Sequence, residues 1–384
     1  MAENNMIEMK QIIIMAALAA MTACTGQNVQ PAEGSQTGFA LSFFRNVNAV
    51  AGSDENIVVS PYSAGMLLSM LEAGAEGETR VELDNALNGA SFGKEDNESD
   101  GDVVVESTNS VWISDDFSVR NRYVSLLENH YDAFITTQNF SDPATVQAIN
   151  NWCSEHTSGK ITKIIDRIGP DMVMILVNAL YFNAPWASAF DEDATAEGIF
   201  HGRNGDASVP MMSRRAMYNY AEYQGARMIE VPYEGGRYAM YLVLPPSGMP
   251  LDAILPYIGE DQYKAAMSLL KPMEVSLRMP KFKQETSLTL NQTLEKMGVR
   301  TAFTSAADFK GISVMGPLKL DVVKQKCYID VSEKGTEAAA VTSGQIRMTS
   351  LRPVVAMNVD RPFLFIIADV EDKDILFAGK IVNL

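Results

Sequence analysis

One short run constrains this chain more than any other: Glu333-Lys334-Gly335-Thr336-Glu337-Ala338-Ala339-Ala340-Val341-Thr342. It is made of small, mostly uncharged side chains, contains no proline and lies about fifty residues before the C-terminus. A plausible strand, Cys327 to Val331, precedes it, and an irregular segment, Ser343 to Pro353, follows it. Taken by itself the run suits a helix start or a loop. As a strand it would carry small side chains on one face. Strand side chains alternate between faces, and Thr336, Ala338, Ala340 and Thr342 share one parity and are all small. Glu337, Ala339, Val341 and Ser343 share the other, where a charge facing outward is harmless. With no proline every backbone N–H can join a ladder, and Gly335 supplies a pivot.

The rest of the composition narrows the function classes. The 384 residues, 47% of them hydrophobic, can bury a large core, and single domains of this size exist. The formal charge of -17, from 48 acidic against 31 basic residues, argues against a nucleic-acid partner. It argues equally against a heparin-type polyanion as cofactor. Three cysteines are too few for a disulfide framework. Cys153 and Cys327 can pair in principle, but buried free thiols are the plainer reading. The three histidines, His130, His156 and His201, show no metal-ligand spacing, and no Gly-x-Ser-x-Gly elbow or Gly-x-Gly-x-x-Gly loop appears. Asp96-Asn97-Glu98-Ser99-Asp100-Gly101 faintly resembles a calcium loop, but Glu98 stands where Asp or Asn is wanted and Glu106 misses the closing position. No metal, no cofactor and no catalytic residue is expected, and the protein is read as not an enzyme. The 22 methionines are spread along the chain as core filling.

The N-terminus reads as a targeting segment. Lys10 precedes an apolar run from Ile12 to Ala23, too short to span a bilayer comfortably, with small residues at its end. Met21-Thr22-Ala23-Cys24 resembles a bacterial lipoprotein cleavage box, with Met where Leu is usual. The alternative is an ordinary signal peptide with an incidental cysteine. On the first reading residues 1–23 are removed, Cys24 carries the lipid, and 24–37 form a flexible Gly/Gln/Pro-rich tether. The mature protein is then secreted across the inner membrane and held in the bacterial cell envelope, on the periplasmic side or the cell surface.

From about Gly38 to Leu384 no second linker appears. Helical patterns cover Ser63–Gly74, Arg122–Tyr131, Ala144–His156 and Leu288–Gly298, with Gly298 as a stop. Pro61 after Ser60 suits a helix start. Met172 to Phe182 is almost wholly apolar and reads as a buried central strand. Arg227–Pro232 and Tyr238–Leu244 read as strands around a Glu234-Gly235-Gly236 turn, and the last forty or so residues read as strands. Long strands without βαβ order favour an α+β fold.

Seven short motifs stand in a specific order. They are Asn56-Ile57-Val58-Val59-Ser60-Pro61-Tyr62-Ser63 with Gly74-Ala75-Glu76-Gly77-Glu78-Thr79; Val177-Asn178-Ala179-Leu180-Tyr181-Phe182 with Trp186, Phe190 and Thr195; Val231-Pro232-Tyr233; Leu242-Val243-Leu244-Pro245; Met279-Pro280-Lys281-Phe282; Leu294-Glu295-Lys296-Met297-Gly298-Val299 with Phe303 and Ala307-Asp308-Phe309; and the C-terminal Asp360-Arg361-Pro362-Phe363 and Ile375-Leu376-Phe377-Ala378-Gly379-Lys380-Ile381. With the run from Glu333 they closely resemble a serpin, over about 38–384. The resemblance implies a large, mostly antiparallel central sheet with smaller sheets, surrounding helices and an exposed reactive loop near the C-terminus. One departure stands out: the family's sizeable helix between Gly74–Thr79 and Val104–Ile113 is expected to be short or missing here.

The resemblance also implies function: a monomeric suicide inhibitor of serine proteases. The acyl-enzyme would be trapped as the cleaved loop enters the central sheet. Glu333, Gly335, Thr336, Glu337, Ala338, Ala339, Ala340 and Thr342 would form the hinge. Ser60, Ser63, Asn178 and Gln325 would form a polar cluster under mid-sheet, and Trp186, Lys281 and Glu333 would stand at its top. The family's usual count puts the bait bond between Thr349 and Ser350, with Met348 and Arg347 as alternatives. Arg347 would draw a trypsin-like enzyme; Met348 or Thr349 suits elastase-like or subtilisin-like pockets. The competing readings are a non-inhibitory carrier or chaperone on the same fold, and a protease substrate only.

Overall fold

The computed structural model describes residues 34–93, 103–315, 318–336 and 354–384. Two sheets carry the fold. The strands, in chain order, are β1 (Ile57–Val59), β2 (Val104–Ser114), β3 (Phe134–Gln138), β4 (Met174–Pro185), β5 (Ala196–Gly202), β6 (Gly205–Tyr223), β7 (Ala226–Pro232), β8 (Tyr238–Leu244), β9 (Lys271–Pro280), β10 (Phe282–Thr289), β11 (Val322–Ser332), β12 (Gly335–Thr336), β13 (Val355–Asn358), β14 (Phe363–Asp369) and β15 (Ile375–Ile381). One sheet runs β1-β15-β14-β8-β7-β6-β9-β13 with β5 on β6; the other runs β10-β11-β12-β4-β2-β3, with β11 and β4 also paired directly. Strands mixed with helices out of βαβ order make this an α+β fold.

The second sheet is the one that matters for function, and its centre is buried on both faces. Leu180, Phe182 and Ala184 of β4 pack inward with Cys327, Ile329 and Val331 of β11 against Met240, Leu242, Phe365 and Phe377 of the other sheet. Ile175, Val177 and Ala179 turn outward under the helix Pro143–Glu155, against Trp112, Ile149 and Trp152. A strand covered on both faces has no solvent side to mark with polar residues. Hence the unbroken apolar run read from the sequence.

Helix starts follow local capping chemistry. The Ser60 side chain accepts the Ser63 N–H at 3.1 Å ahead of Pro61–Gly74, and Asp142 accepts from Ala144 at 2.9 Å ahead of Pro143–Glu155. Two expectations need correction. The helix expected over Leu288–Gly298 spans only Asn291–Lys296, because Leu288 and Thr289 are still paired with Gln325 and Lys324 in the β10–β11 ladder. Gly298 is the stop, at φ +103°. At the other end, Gln36 and Thr37, read as tether, open a helix Gln36–Val50 whose Ser35 side chain accepts the Gly38 N–H. An 11-residue helix, Gly77–Leu87, also occupies ground where none was assigned. Most of it falls in the interval between Gly74–Thr79 and Val104–Ile113, where the family's sizeable helix was expected short or missing; residues 94–102 of that interval, with the calcium-like loop, lie outside the described residues.

Candidate functional site

The site is a seam between β4 and β11. Along its lower part the two strands pair directly and in parallel, from Val322 opposite Ile175 to Tyr328 opposite Tyr181. Above Tyr328 they part, and β12 stands between them. Gly335 and Thr336 pair antiparallel with Ser332 and Val331 of β11 on one side, and with Pro185 and Ala184 of β4 on the other. The chain reaches this slot by a tight reversal at Glu333-Lys334. Gly335 has φ +151°, and a Cβ there would lie 2.2 Å from the Ala184 carbonyl oxygen, so only glycine fits this pivot. The Thr336 side chain is fully buried and shares a 2.7 Å hydrogen bond with the Tyr233 hydroxyl. Its parity is therefore inward, as expected.

The reversal is held from four sides. The Glu333 carboxylate accepts from the Lys281 ammonium at 2.7 Å and from the Thr195 hydroxyl at 2.8 Å. The Glu333 carbonyl accepts the Phe190 N–H at 2.8 Å. Trp186 donates its indole N–H to the Ser332 carbonyl at 2.9 Å and its backbone N–H to the Lys334 carbonyl at 3.0 Å. Its ring stacks on Tyr233 with centroids 4.5 Å apart. The three residues assigned to the top of the sheet, Trp186, Lys281 and Glu333, thus meet. Burial alone would raise the Glu333 pKa; the hydrogen bonds from Lys281, its own backbone and Thr195 outweigh it and hold the carboxyl below the usual range.

Lower down, buried polar groups cross the seam in a row. The Gln325 amide donates to the Ser60 carbonyl at 2.8 Å and to the Asn178 side-chain oxygen at 3.3 Å, and accepts the Ser60 N–H at 3.2 Å. Asn178 in turn donates to the Asn109 side-chain oxygen at 3.0 Å and to the Thr108 carbonyl at 3.3 Å. Gln325 lies directly opposite Asn178, and Asn178 directly opposite Asn109, so the row follows the strand register across β11, β4 and β2. Ser63 is buried beside it, its N–H on the Ser60 hydroxyl. All four residues assigned to this cluster are found together. Asn109 was missed, as were the roles of Thr195 and Tyr233. Asn109 stands in a polar stretch, Glu106 to Ser110, that gives no sign of burial, and its partner emerges only from the β2–β4 register.

Cys327, beside Gln325's strand neighbours, and Cys153 are free and buried, and burial pushes each thiol up to about 12. The plainer reading of the cysteines holds. Cys24, the hinge residues Glu337, Ala338, Ala339, Ala340 and Thr342, and Arg347, Met348, Thr349 and Ser350 lie outside the described residues.

A pH dependence follows. A carboxyl depressed on folding contributes stability above its unfolded pKa, which is lost as pH falls through the folded value. The Glu333 contribution is thus complete above about pH 4.5 and disappears below it. Between pH 7 and pH 3.5 or so, the denaturation midpoint of the wild type should fall further than that of Glu333→Gln. Parallel curves would contradict this.

Comparison with known proteins agrees with the geometry. Residues 34–384 match the family model "Serpin (serine protease inhibitor)". An uncharacterized serpin-like protein of Methanosarcina acetivorans is 34% identical over 349 residues, covering 86% of this chain and 82% of its own. Iripin-5 of Ixodes ricinus is 30% identical, covering 90% and 93%. Among solved structures, the thermophilic serpin tengpin in its native state superposes with a TM-score of 0.84 at 29% identity, over 94% of this chain and 96% of tengpin. Human thyroxine-binding globulin, in a complex with thyroxine, gives 0.81 at 27% identity, over 91% and 98%. By sequence, fold and the arrangement around the β4–β11 seam, this chain belongs to the serpin family.

Proposed function

We propose that the chain is an irreversible suicide inhibitor of serine proteases. The supporting observation is the state of the hinge: Gly335 and Thr336 already occupy the slot between β4 and β11, and the strands below are paired in a register that the next residues can enter without slipping. Insertion of a serpin's loop into its own sheet is an established instance of strand addition and of stored strain released by proteolysis. The fold alone does not choose an inhibitor over a carrier, since thyroxine-binding globulin shares it. The hinge sequence supports the inhibitor, because its small side chains of one parity suit a buried strand.

The register of Gly335 and Thr336 can be extended to an inserted state. Continuing antiparallel from Thr336, each following residue would stay opposite one residue of β4 and one of β11. Ala338 and Ala340 would fall opposite Phe182 and Leu180, and Thr342 opposite both Asn178 and Gln325, which are themselves partners now. The Thr342 hydroxyl would replace the long Gln325–Asn178 bond. Insertion breaks one strand interface and makes two, a net gain of about one hydrogen bond per residue. At ~0.5–1.5 kcal/mol each, roughly fourteen residues yield on the order of 10 kcal/mol. That is comparable with the ~5–15 kcal/mol that holds a protease folded. An enzyme carried ~3.3 Å per inserted residue is dragged roughly 45 Å, and its acylated site is pulled out of shape.

The bait bond is Thr349–Ser350 on this reading, and elastase-, subtilisin- or trypsin-like enzymes are the targets. Incubation with such a panel should give an SDS-resistant covalent band and release a C-terminal peptide beginning at Ser350. Complete cleavage without that band would contradict inhibition. Thr342→Arg places a charge between Asn178 and Gln325. It should shift the outcome from complex to cleaved product by at least about tenfold, or ~1.4 kcal/mol in the branching. An unchanged ratio would mean that Thr342 does not enter there.

We further propose, from sequence alone, that Cys24 carries a lipid and anchors the inhibitor in a bacterial envelope as a shield against foreign proteases. Dual acylation is enough for stable anchoring. Cys24→Ala should move the protein from the membrane to the soluble fraction; a wild type that is already soluble would refute the anchor.

A further inference from the structure

The top and middle of the seam are pinned by the groups described above. A third set of contacts pins the bottom. Asp321 directly precedes β11, and its side chain is only 7% exposed. Its Oδ2 accepts the backbone N–H of Val173 at 2.6 Å and of Met174 at 3.3 Å, on the chain entering β4. Its own N–H donates to the Met174 carbonyl at 3.3 Å. The other carboxylate oxygen pairs with the Lys319 ammonium. From behind, the Asn291 amide donates to the Asp321 carbonyl at 2.8 Å and accepts the Val323 N–H at 3.1 Å. One carboxylate thus ties the start of β11 to the start of β4, one residue below their first ladder pair, Val322 and Ile175.

We propose that Asp321 is a latch that holds the lower end of the seam shut and sets the rate at which the loop completes its insertion. This rests on the inhibitory reading above. Admitting a strand moves β4 and β11 from one interstrand spacing, about 4.8 Å, to two. No side chain of aspartate length spans that distance, so all three bonds to residues 173 and 174 must break together. Hydrogen bonds to a carboxylate are about twice as strong as neutral ones, and these are buried. The middle of the seam behaves differently, because there Thr342 can take over the released partners. The latch therefore stabilises the uninserted state and is lost on the way to the inserted one. Weakening it lowers the barrier and so raises the insertion rate.

The test uses the intact full-length protein and a synthetic peptide with the sequence of residues 336–349, which competes for the slot. Annealing is followed by native gel shift and by the gain in heat resistance. Asp321→Ala should anneal at least about tenfold faster than wild type, and Asp321→Asn, which keeps the shape and one acceptor, severalfold faster. Asp330→Asn, which removes a carboxylate paired with Lys283 on the outer side of β11, should stay within about twofold of wild type. If Asp321→Ala does not fold, Asp321→Asn decides alone. Annealing by folded Asp321→Asn at the wild-type rate overturns the latch and leaves the inhibitory reading standing. A wild type that takes up no peptide, and gains no heat resistance when its loop is cut, contradicts that reading, and the latch with it.

Discussion

The structure turns on one strand interface, the parallel ladder between β4 and β11. For the proposed mechanism it must be strong enough to keep the sheet closed and weak enough to be parted by the chain's own loop. Parallel pairing is slightly less stable per residue than antiparallel. Here a parallel interface stands where two antiparallel ones could form, with the first two residues of the intruding strand already in place. On the proposed inhibitory reading the fold has a better arrangement within reach, which the chain would adopt once a bond in the loop is cut.

Polar groups are what make such a seam workable in an apolar sheet. A buried amide without a partner costs a few kcal/mol, so Gln325, Asn178 and Asn109 each need a bond in the closed state. They have one, but the bond across the seam, between Gln325 and Asn178, is 3.3 Å, longer than those to Ser60 and Asn109. The firmer bonds, to Ser60 and Asn109, lie on either side of it and do not cross it. Opening therefore separates two groups that each keep an anchor. At the upper end Glu333 is held by Lys281, Thr195 and Phe190, which fixes the hairpin from which the loop swings. The outer face of the seam is roofed by the helix Pro143–Glu155, so the entering strand must pass beneath Trp152 and Ile149. Small outward side chains such as Ala339 suit that passage.

Much of this was legible in the sequence because short motifs fix positions that periodicity cannot. Ser60, Asn178 and Gln325 sit far apart along the chain, yet the family resemblance implied one cluster, with motif order fixing Ser60 and Asn178. Met172–Phe182 was legible as a buried strand because burial on both faces leaves a continuous apolar run. Other features were hidden for identifiable reasons. Leu288 and Thr289 fit a helical period but belong to β10, because the ladder to β11 claims their backbone. Gln36 and Thr37 looked like tether by composition, yet Ser35 caps a helix that includes them. Asn109 and Asp321 act through partners that only the tertiary register supplies.

Calorimetry on the intact protein and on protein cut once in the loop, after Thr349, tests the central claim directly. If the native form is held short of its best arrangement, the cut protein should melt at least about 10 °C higher, with a matching gain in β-structure. Equal or lower melting after the cut would show that the intact fold is already at its minimum, and the account would fail.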